Sequence, residues 1–509
     1  MSEFAVNAPE LVDRQPARHS AARVSKRTTP KILEFAFMAI IGFSLIAYFA
    51  AAAAVGRLET AAVRIGYEAK PAAVIAQKLS VTLADMDAQI TDSSLGNGQS
   101  WSRYTADIAT AVSLVTQAER MVRDDDPEAD ALRNIQLQLR SYYQLVGGSS
   151  VTSPDIFVSN EQLARTTTLW ASRTMRQDII AQARNAAELA SRKLVDAYAE
   201  FQGDRGFSAV LAVLPLILLL AALIATQIFL TRRTHRLINV PLLISTLGLV
   251  VFIGWFTYVA ETGRATILVA KETAFDDLQV LYRAKVTAYL MKADESMWLF
   301  ELRKARFEQR RLRGFYARSF SDSARQLIDI ANVSQFPAAV VEEAGFTDPV
   351  DHATLDATQL FLDAAAKSRE AGRIEEATKN MPRIPGILGD ELRRFGPAGT
   401  EWKSSYEAVT YLLRYLEIDR RIRTTALGES RDKAVQLSIG GGEGGADWAF
   451  SRMDAALDRM IATDDASFDS RLGTAIGNLT TLAPLLAGVL FIATLLSGFG
   501  LWQRYREYR

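Results

Sequence analysis

The sequence predicts an all-α membrane protein built from a span–bundle–span unit used twice. Four transmembrane helices would carry two tandem extracytoplasmic helical bundles. Three observations lead there. Four charge-free apolar runs are each long enough, at about 20 residues, to cross about 30 Å of hydrocarbon. The segments between them alternate between short and basic and long and polar. The long segments repeat apolar residues at spacings of three and four.

Residues 1–34 read as a disordered basic tail, polar and rich in Arg and Ser. It holds Arg14, Arg18, Arg23, Lys26, Arg27 and Lys31. The first span is 35–54, "FAFMAIIGFSLIAYFAAAAA". Its small-residue end resembles a signal-peptidase site, but the run is too long for a signal peptide. The first outer region, 55–206, is expected to be a four-helix bundle. Ala72, Ile75, Leu79, Leu83, Met86 and Ile90 form one apolar stripe, and Pro71 marks a kink or restart. Breaks at "SSLGNG" (93–98), "RDDDPE" (123–128) and "GGSSVTSPD" (147–155) divide it into four helices.

The second span is 207–230 and the third 237–259, joined by a hinge at 231–236 with Arg232, Arg233 and Arg236. The second outer region, 260–479, opens on a similar stripe of Leu281, Ala284, Ala288, Met291 and Trp298. It is about 70 residues longer than the first, and the surplus reads as an insertion near 332–398. Phe450, Met453, Leu457, Met460, Phe468, Leu472 and Ile476 then lead into the last span, 480–502, and a tail at 503–509. Short basic flanks stay in the cytoplasm. Both termini and the hinge are therefore expected inside the plasma membrane, with both long regions outside.

Composition removes several classes. Lys+Arg and Asp+Glu both number 58, so no basic excess points to nucleic acid. With no cysteine, disulfides, thiolate nucleophiles and cysteine metal sites are excluded. His19, His235 and His352 lack metal-ligand spacing, and no cofactor is expected. The spans offer only scattered Ser, Thr, Gln227 and Asn239, with Pro215 and Pro484 as bends, which argues against a transporter. No nucleophile–base pair suggests an enzyme. "IGGGEGGAD" (439–447) lacks the lysine and the strand of a phosphate loop and reads as a flexible hinge.

Asp85 and Asp87 look like a carboxylate pair, but at about 100° per residue they point about 160° apart. They are expected to be solvated charges bordering the stripe. Asp294 and Glu295 stand apart because Glu295 falls within an apolar stripe and needs a partner. The arginines of 301–318 and of "DRRIR" (419–423) are the expected source. The basic run 303–318 otherwise reads as a solvated helix face.

Several segments together resemble the GlnX-like family of actinobacterial four-span membrane signalling proteins. They are "LADMDAQ" (83–89), "RYTADIATA" (103–111), "ADESMWL" (293–299), "DRRIRTTALGESRDKAVQL" (419–437) and "WAFSRMDAAL" (448–457), with a closing "REYR". Members are encoded beside a glutamate/aspartate-binding lipoprotein and a soluble Ser/Thr kinase. The resemblance implies a relay, in which an amino-acid-binding protein docks outside and a protein kinase is engaged inside. The insertion departs from the family pattern. The first bundle is also similar in type to chemoreceptor ligand-binding domains, and a homodimer is left open. Asp87, Tyr104, Asp294, Glu295 and Trp298 are the ligand or partner candidates. Arg232, Arg233 and Arg236 are the cytoplasmic contact candidates. A direct small-molecule sensor and an envelope scaffold are the alternatives.

Overall fold

The computed structural model describes residues 28–123, 125–148, 161–203, 205–234, 239–302, 307–329, 352–381, 383–399, 401–428 and 430–508. The tail before residue 28, the start of the expected insertion, the basic residues at 303–306 and Arg236 lie outside the described residues. The described chain is helical throughout, with no strand.

The helices fall into two compact units. One holds the spans, from Met1–Gly56, Gly206–Val259 and Thr481–Arg509. The other holds both long segments between spans, Arg57–Arg205 and Ala260–Thr480, the outer regions of the expected topology.

Four helices in the described chain are long and apolar enough to cross a membrane. In the span unit these are the first part of α1 (Thr28–Val63), α7 (Arg205–Thr234), the first part of α8 (Val240–Ala270) and the last part of α16 (Ala446–Tyr508). Phe35, Met38, Phe49, Val251 and Phe491 face outward, whereas Ile40, Ala47, Leu216, Leu249 and Leu486 are buried among the helices. An apolar exterior around an apolar interior is what hydrocarbon surroundings allow. The fourth span packs tightly on the first and third. A side chain at Gly498 would strike Phe37 at 2.7 Å. The Asn239 amide donates to the Gly500 carbonyl at 3.0 Å, and Ser245 donates to Ala493 at 3.2 Å. Small residues and hydroxyls are the usual means of close helix approach where no hydrophobic drive acts between helices.

In the other unit, the described part of the segment between the first two spans is a set of packed helices. Its members are α2 (Lys70–Ser93), α3 (Gly98–Glu119), α4 (Pro127–Gly148) and a pair run together, α5 (Glu161–Thr174) and α6 (Ile180–Gly203). The first break follows from local chemistry. Gly96 takes φ 98°, and Asn97 caps α3 by accepting from the Gln99 N–H at 3.2 Å. Pro71 sits at the start of α2, directly after a π turn at Arg64–Ala69. Proline removes one helical donor, and the chain changes register there without stopping.

The second outer region keeps the same plan. Its main helices are α9 (Asp276–Glu301), α10 (Phe307–Leu327), α14 (Trp402–Gly428) and the first part of α16. The insertion supplies α11 (His352–Glu370), α12 (Ile374–Asn380) and α13 (Ile387–Phe395), and α15 (Arg431–Ser438) follows α14. A second π turn, Lys271–Phe275, joins α8 to α9 as the first joins α1 to α2. The glycine-rich stretch is a tight turn rather than a loose hinge: Gly445 N–H donates to Gly442 at 2.8 Å. A side chain at Gly445 would lie 1.9 Å from the Gly440 carbonyl oxygen, so glycine is needed there.

The two bundles pack side by side and share one apolar core. Along α16 runs a ladder of aspartates that meets lysines from both halves. Lys292 pairs with Asp447, Lys285 with Asp454 at 2.9 Å, and Lys70 with Asp469 at 2.8 Å. Lys70 belongs to the first half, so this ladder also stitches the halves together.

Candidate functional site

The helices that open the two bundles, α2 and α9, lie against each other at the centre of the unit. Asp87 lies 23 residues beyond Arg64, where the first π turn begins, and Asp294 lies 23 beyond Lys271, where the second begins. Each stands toward the far end of the helix that opens its bundle, and both are fully buried. One cation serves both. Arg176 Nε meets Asp87 Oδ2 at 2.5 Å, and its Nη1 is bonded to Asp294 Oδ1. Arg176 stands in a third π turn, Met175–Ile179, between α5 and α6. Such a turn shifts the helix register by one residue and is frequent at functional positions.

The electrostatics follow from burial. Burial works against the Arg176 charge, but Asp87 and Asp294 outweigh it and hold the guanidinium protonated. Burial also raises Asp294 above the usual carboxylate range, with Arg176 and Ser319 opposing the rise and Asp87 adding to it. Arg176 Nη2, Asp87 Oδ1 and Asp294 Oδ2 are buried with no hydrogen-bond partner. The joint is therefore held by charge and is incompletely satisfied, a state that costs stability.

Beside the joint opens a cleft of about 770 Å³. Its first wall is α5, the π turn and α6, with Arg173, Arg176 and Arg184. Its second wall is α9 and α10, with Leu290, Phe315, Tyr316 and Ser319. Both bundles thus contribute to it. Burial and the nearby Arg283 lower the Arg184 pKa, with Glu188 opposing.

Glu295 enters a different environment. It turns into its own bundle, where the Ser438 hydroxyl donates to it at 2.6 Å. Burial lifts it to about 7, Asp419 adds to the rise, and Ser438, Tyr415 and Arg423 oppose it. Arg423 belongs to the "DRRIR" segment that the sequence offered as a partner, but its direct bond is to Asp419, at 2.7 Å. Its guanidinium lies 4.8 Å from the Trp298 ring centre and 4.6 Å from that of Phe320. Trp298 is thereby a packing partner of Arg423.

The other expectations divide. Asp87 is not a solvated border charge but a wholly buried partner of Arg176, because α9 covers the face of α2 that a single bundle would leave open. Asp85 is also largely covered. Burial lifts it to about 7, with Asp107 adding, and Gln89 bridges the two at 2.8 and 2.6 Å. Tyr104 is a core residue packed between Trp101 and Tyr142. Arg232 is exposed at the end of α7, while the Arg233 side chain and Arg236 lie outside the described residues. Among the described residues no cluster has the make-up of a metal site. Arg176 was missed. Little in the sequence singles it out, since its neighbours three and four residues away are Ser172, Arg173, Ile179 and Ile180.

Comparison with known proteins adds one result. Residues 61–199 match a family model described as an actinobacterial sensor domain. The matched stretch runs from the end of α1 through most of α6 and includes Asp87 and Arg176 but not Asp294. No curated protein and no solved structure matches the chain. The first half of this multi-pass membrane chain thus carries a sensor domain.

Proposed function

We propose that the protein is a transmembrane signal relay: one extracytoplasmic sensor, formed by both bundles, biases the cytoplasmic ends of its spans and through them a Ser/Thr kinase. What carries the reading is the joint itself, in which one aspartate from each half shares Arg176. A change at that joint acts on α2 and α9 together. Through the π turns these helices continue into α1 and α8, and so into two spans. Small shifts of packed helices are an established way to carry such a change. The basic flanks support the orientation, with Arg232, Arg233 and Arg236 forming the inner contact. The sequence resemblance supports an amino-acid-binding protein as the outer partner and a kinase as the inner one.

A second reading, direct sensing of a small molecule, is favoured by the cleft between the halves. It alters the input and leaves the relay unchanged.

The test begins with topology. Cysteines placed at Ser102 and Ser451, both exposed, should react with an impermeant thiol reagent on intact cells, and one at Arg232 should not. In membranes that pass this test, kinase activity should co-purify with the chain. It should fall when Arg232, Arg233 and Arg236 become glutamine, since exposed charges act only over about 8 Å at physiological salt. Labelling of the Arg232 position on sealed cells, or a wild-type preparation free of kinase activity, contradicts the relay.

A further inference from the structure

We infer that the cleft between the two bundles is a binding site for a small organic acid carrying at least two carboxylates and no ammonium group. The inference rests on the direct-sensing reading and names its ligand.

The cleft has the size of a small-molecule site, which runs from about 300 to 1,000 Å³. Its charge is one-sided. Arg173, Arg176 and Arg184 line it, and among the described residues no carboxylate does. Arg176 is engaged with Asp87 and Asp294, but among the described residues the other two arginines hold no ion pair. Arg173 is bonded to the neutral amide of Gln177, at 2.9 Å. Glu188, the acid that acts on Arg184, is itself 4.0 Å from Arg192. The neighbouring Arg283 adds like charge. A concave surface that presents two exposed arginines beyond the compensated Arg176 favours an anionic occupant.

The positions of the arginines narrow the ligand. Arg173 and Arg184 are 11 residues apart on one helical run, on the order of 16 Å along the axis. One carboxylate does not neutralise both, whereas two on a short carbon chain can once the long arginine side chains lean toward each other across the cleft. Guanidinium groups take carboxylates through paired N–H donors. Ser172, Ser319 and Ser323 add hydroxyls, and Leu169, Leu290 and Phe315 supply apolar wall for the carbon chain. An ammonium group would meet the uncompensated Arg173 and Arg184, with the only nearby acids, Asp87 and Asp294, already held by Arg176, so amino acids are disfavoured relative to the matching dicarboxylates.

The site also explains how occupancy would reach the joint. Ser319 lines the cleft and lies against Asp294, and Arg176 lines the cleft while holding both aspartates. A ligand drawn to Arg176 competes with the carboxylates that lock the halves, so binding and joint strength are linked.

The experiment is calorimetry on the purified full-length chain in lipid nanodiscs, with succinate, glutarate, glutamate, glutamine and inorganic phosphate as probes. Succinate or glutarate should bind saturably, at least about tenfold more tightly than glutamate, glutamine or phosphate. Arg173→Gln and Arg184→Gln should each weaken dicarboxylate binding about tenfold or more, the usual scale of a charge-assisted bond. Both side chains are exposed, so an unchanged melting temperature verifies the fold. Absence of dicarboxylate binding by folded protein overturns the inference, as does equal binding of phosphate or glutamine, or affinity unmoved in both variants. No kinase is present in this measurement. Its failure therefore leaves the relay standing, while loss of kinase coupling leaves the binding site standing.

Discussion

Asp294 and Glu295 are neighbours in the chain, yet they end in opposite kinds of place. About 100° around α9 separates them. Asp294 crosses to the first bundle and meets Arg176 together with Asp87. Glu295 stays in the second bundle, bonded to Ser438, with Asp419 close enough to disfavour its charge. The first pocket has one cation for two acids from different halves. The second has Arg423 already committed to Asp419 and stacked between aromatic rings. The contrast teaches that a carboxylate's role follows from which element covers it. The joint between halves is charged and strained by unmet hydrogen bonds, while the core of a half favours a nearly neutral acid.

The largest expected effect comes from removing the shared cation. Arg176→Met leaves Asp87 and Asp294 buried without a counter-charge and should cost about 3–5 kcal/mol, read by denaturation of the purified protein. Adding Asp87→Asn and Asp294→Asn to Arg176→Met should recover much of that loss, because the buried charges go with it. A variant with Arg176→Met alone that melts like the wild type would show that the joint is not load-sharing. The corresponding change at the other pocket should be mild: Glu295→Gln keeps the shape and the Ser438 contact and replaces an acid already close to neutral. A loss within about 1 kcal/mol is expected, the scale of one ordinary hydrogen bond.

The remaining effect concerns pH. Glu295 is raised from its ordinary 4.5 to about 7 in the folded protein. Between those values the folded state binds more protons than the unfolded one, so stability falls as pH rises from 4.5 through about 7 and then levels. Asp85, Glu391 and Asp464 are also raised to about 7 and act in the same direction. The melting temperature should therefore be lower at pH 8 than at pH 5.5 by several degrees, the scale of about 1 kcal/mol or more. Glu295→Gln should flatten part of that slope. A slope of opposite sign, or one that Glu295→Gln leaves untouched, would place Glu295 outside the titrating set.

Much of the architecture was legible before any coordinates. The spans follow from uninterrupted apolar runs, and the break before α3 from Gly96 and Asn97. The insertion follows from the unequal lengths of the outer regions, and α11, α12 and α13 occupy its described part. The union of the two bundles was not legible. A stripe on α2 records that a face is buried and not whether the cover comes from its own bundle or from α9. For that reason Asp87 read as solvated, and Arg176 passed as one cation among many. Glu295 is more accessible to sequence reasoning, since its position within a stripe demands a partner, but the bonded partner is Ser438, while Arg423 of the arginine segment bonds Asp419.

The most direct test of the central claim is a double-mutant cycle across the joint, with Asp87→Asn, Asp294→Asn and the double variant, read by denaturation of the full-length protein. If the halves act as one sensor through Arg176, the two changes are non-additive, with a coupling energy of about 1 kcal/mol or more. Additivity within about 0.3 kcal/mol, the behaviour of distant independent sites, would mean that Asp87 and Asp294 do not share the arginine and that the bundles are two separate devices.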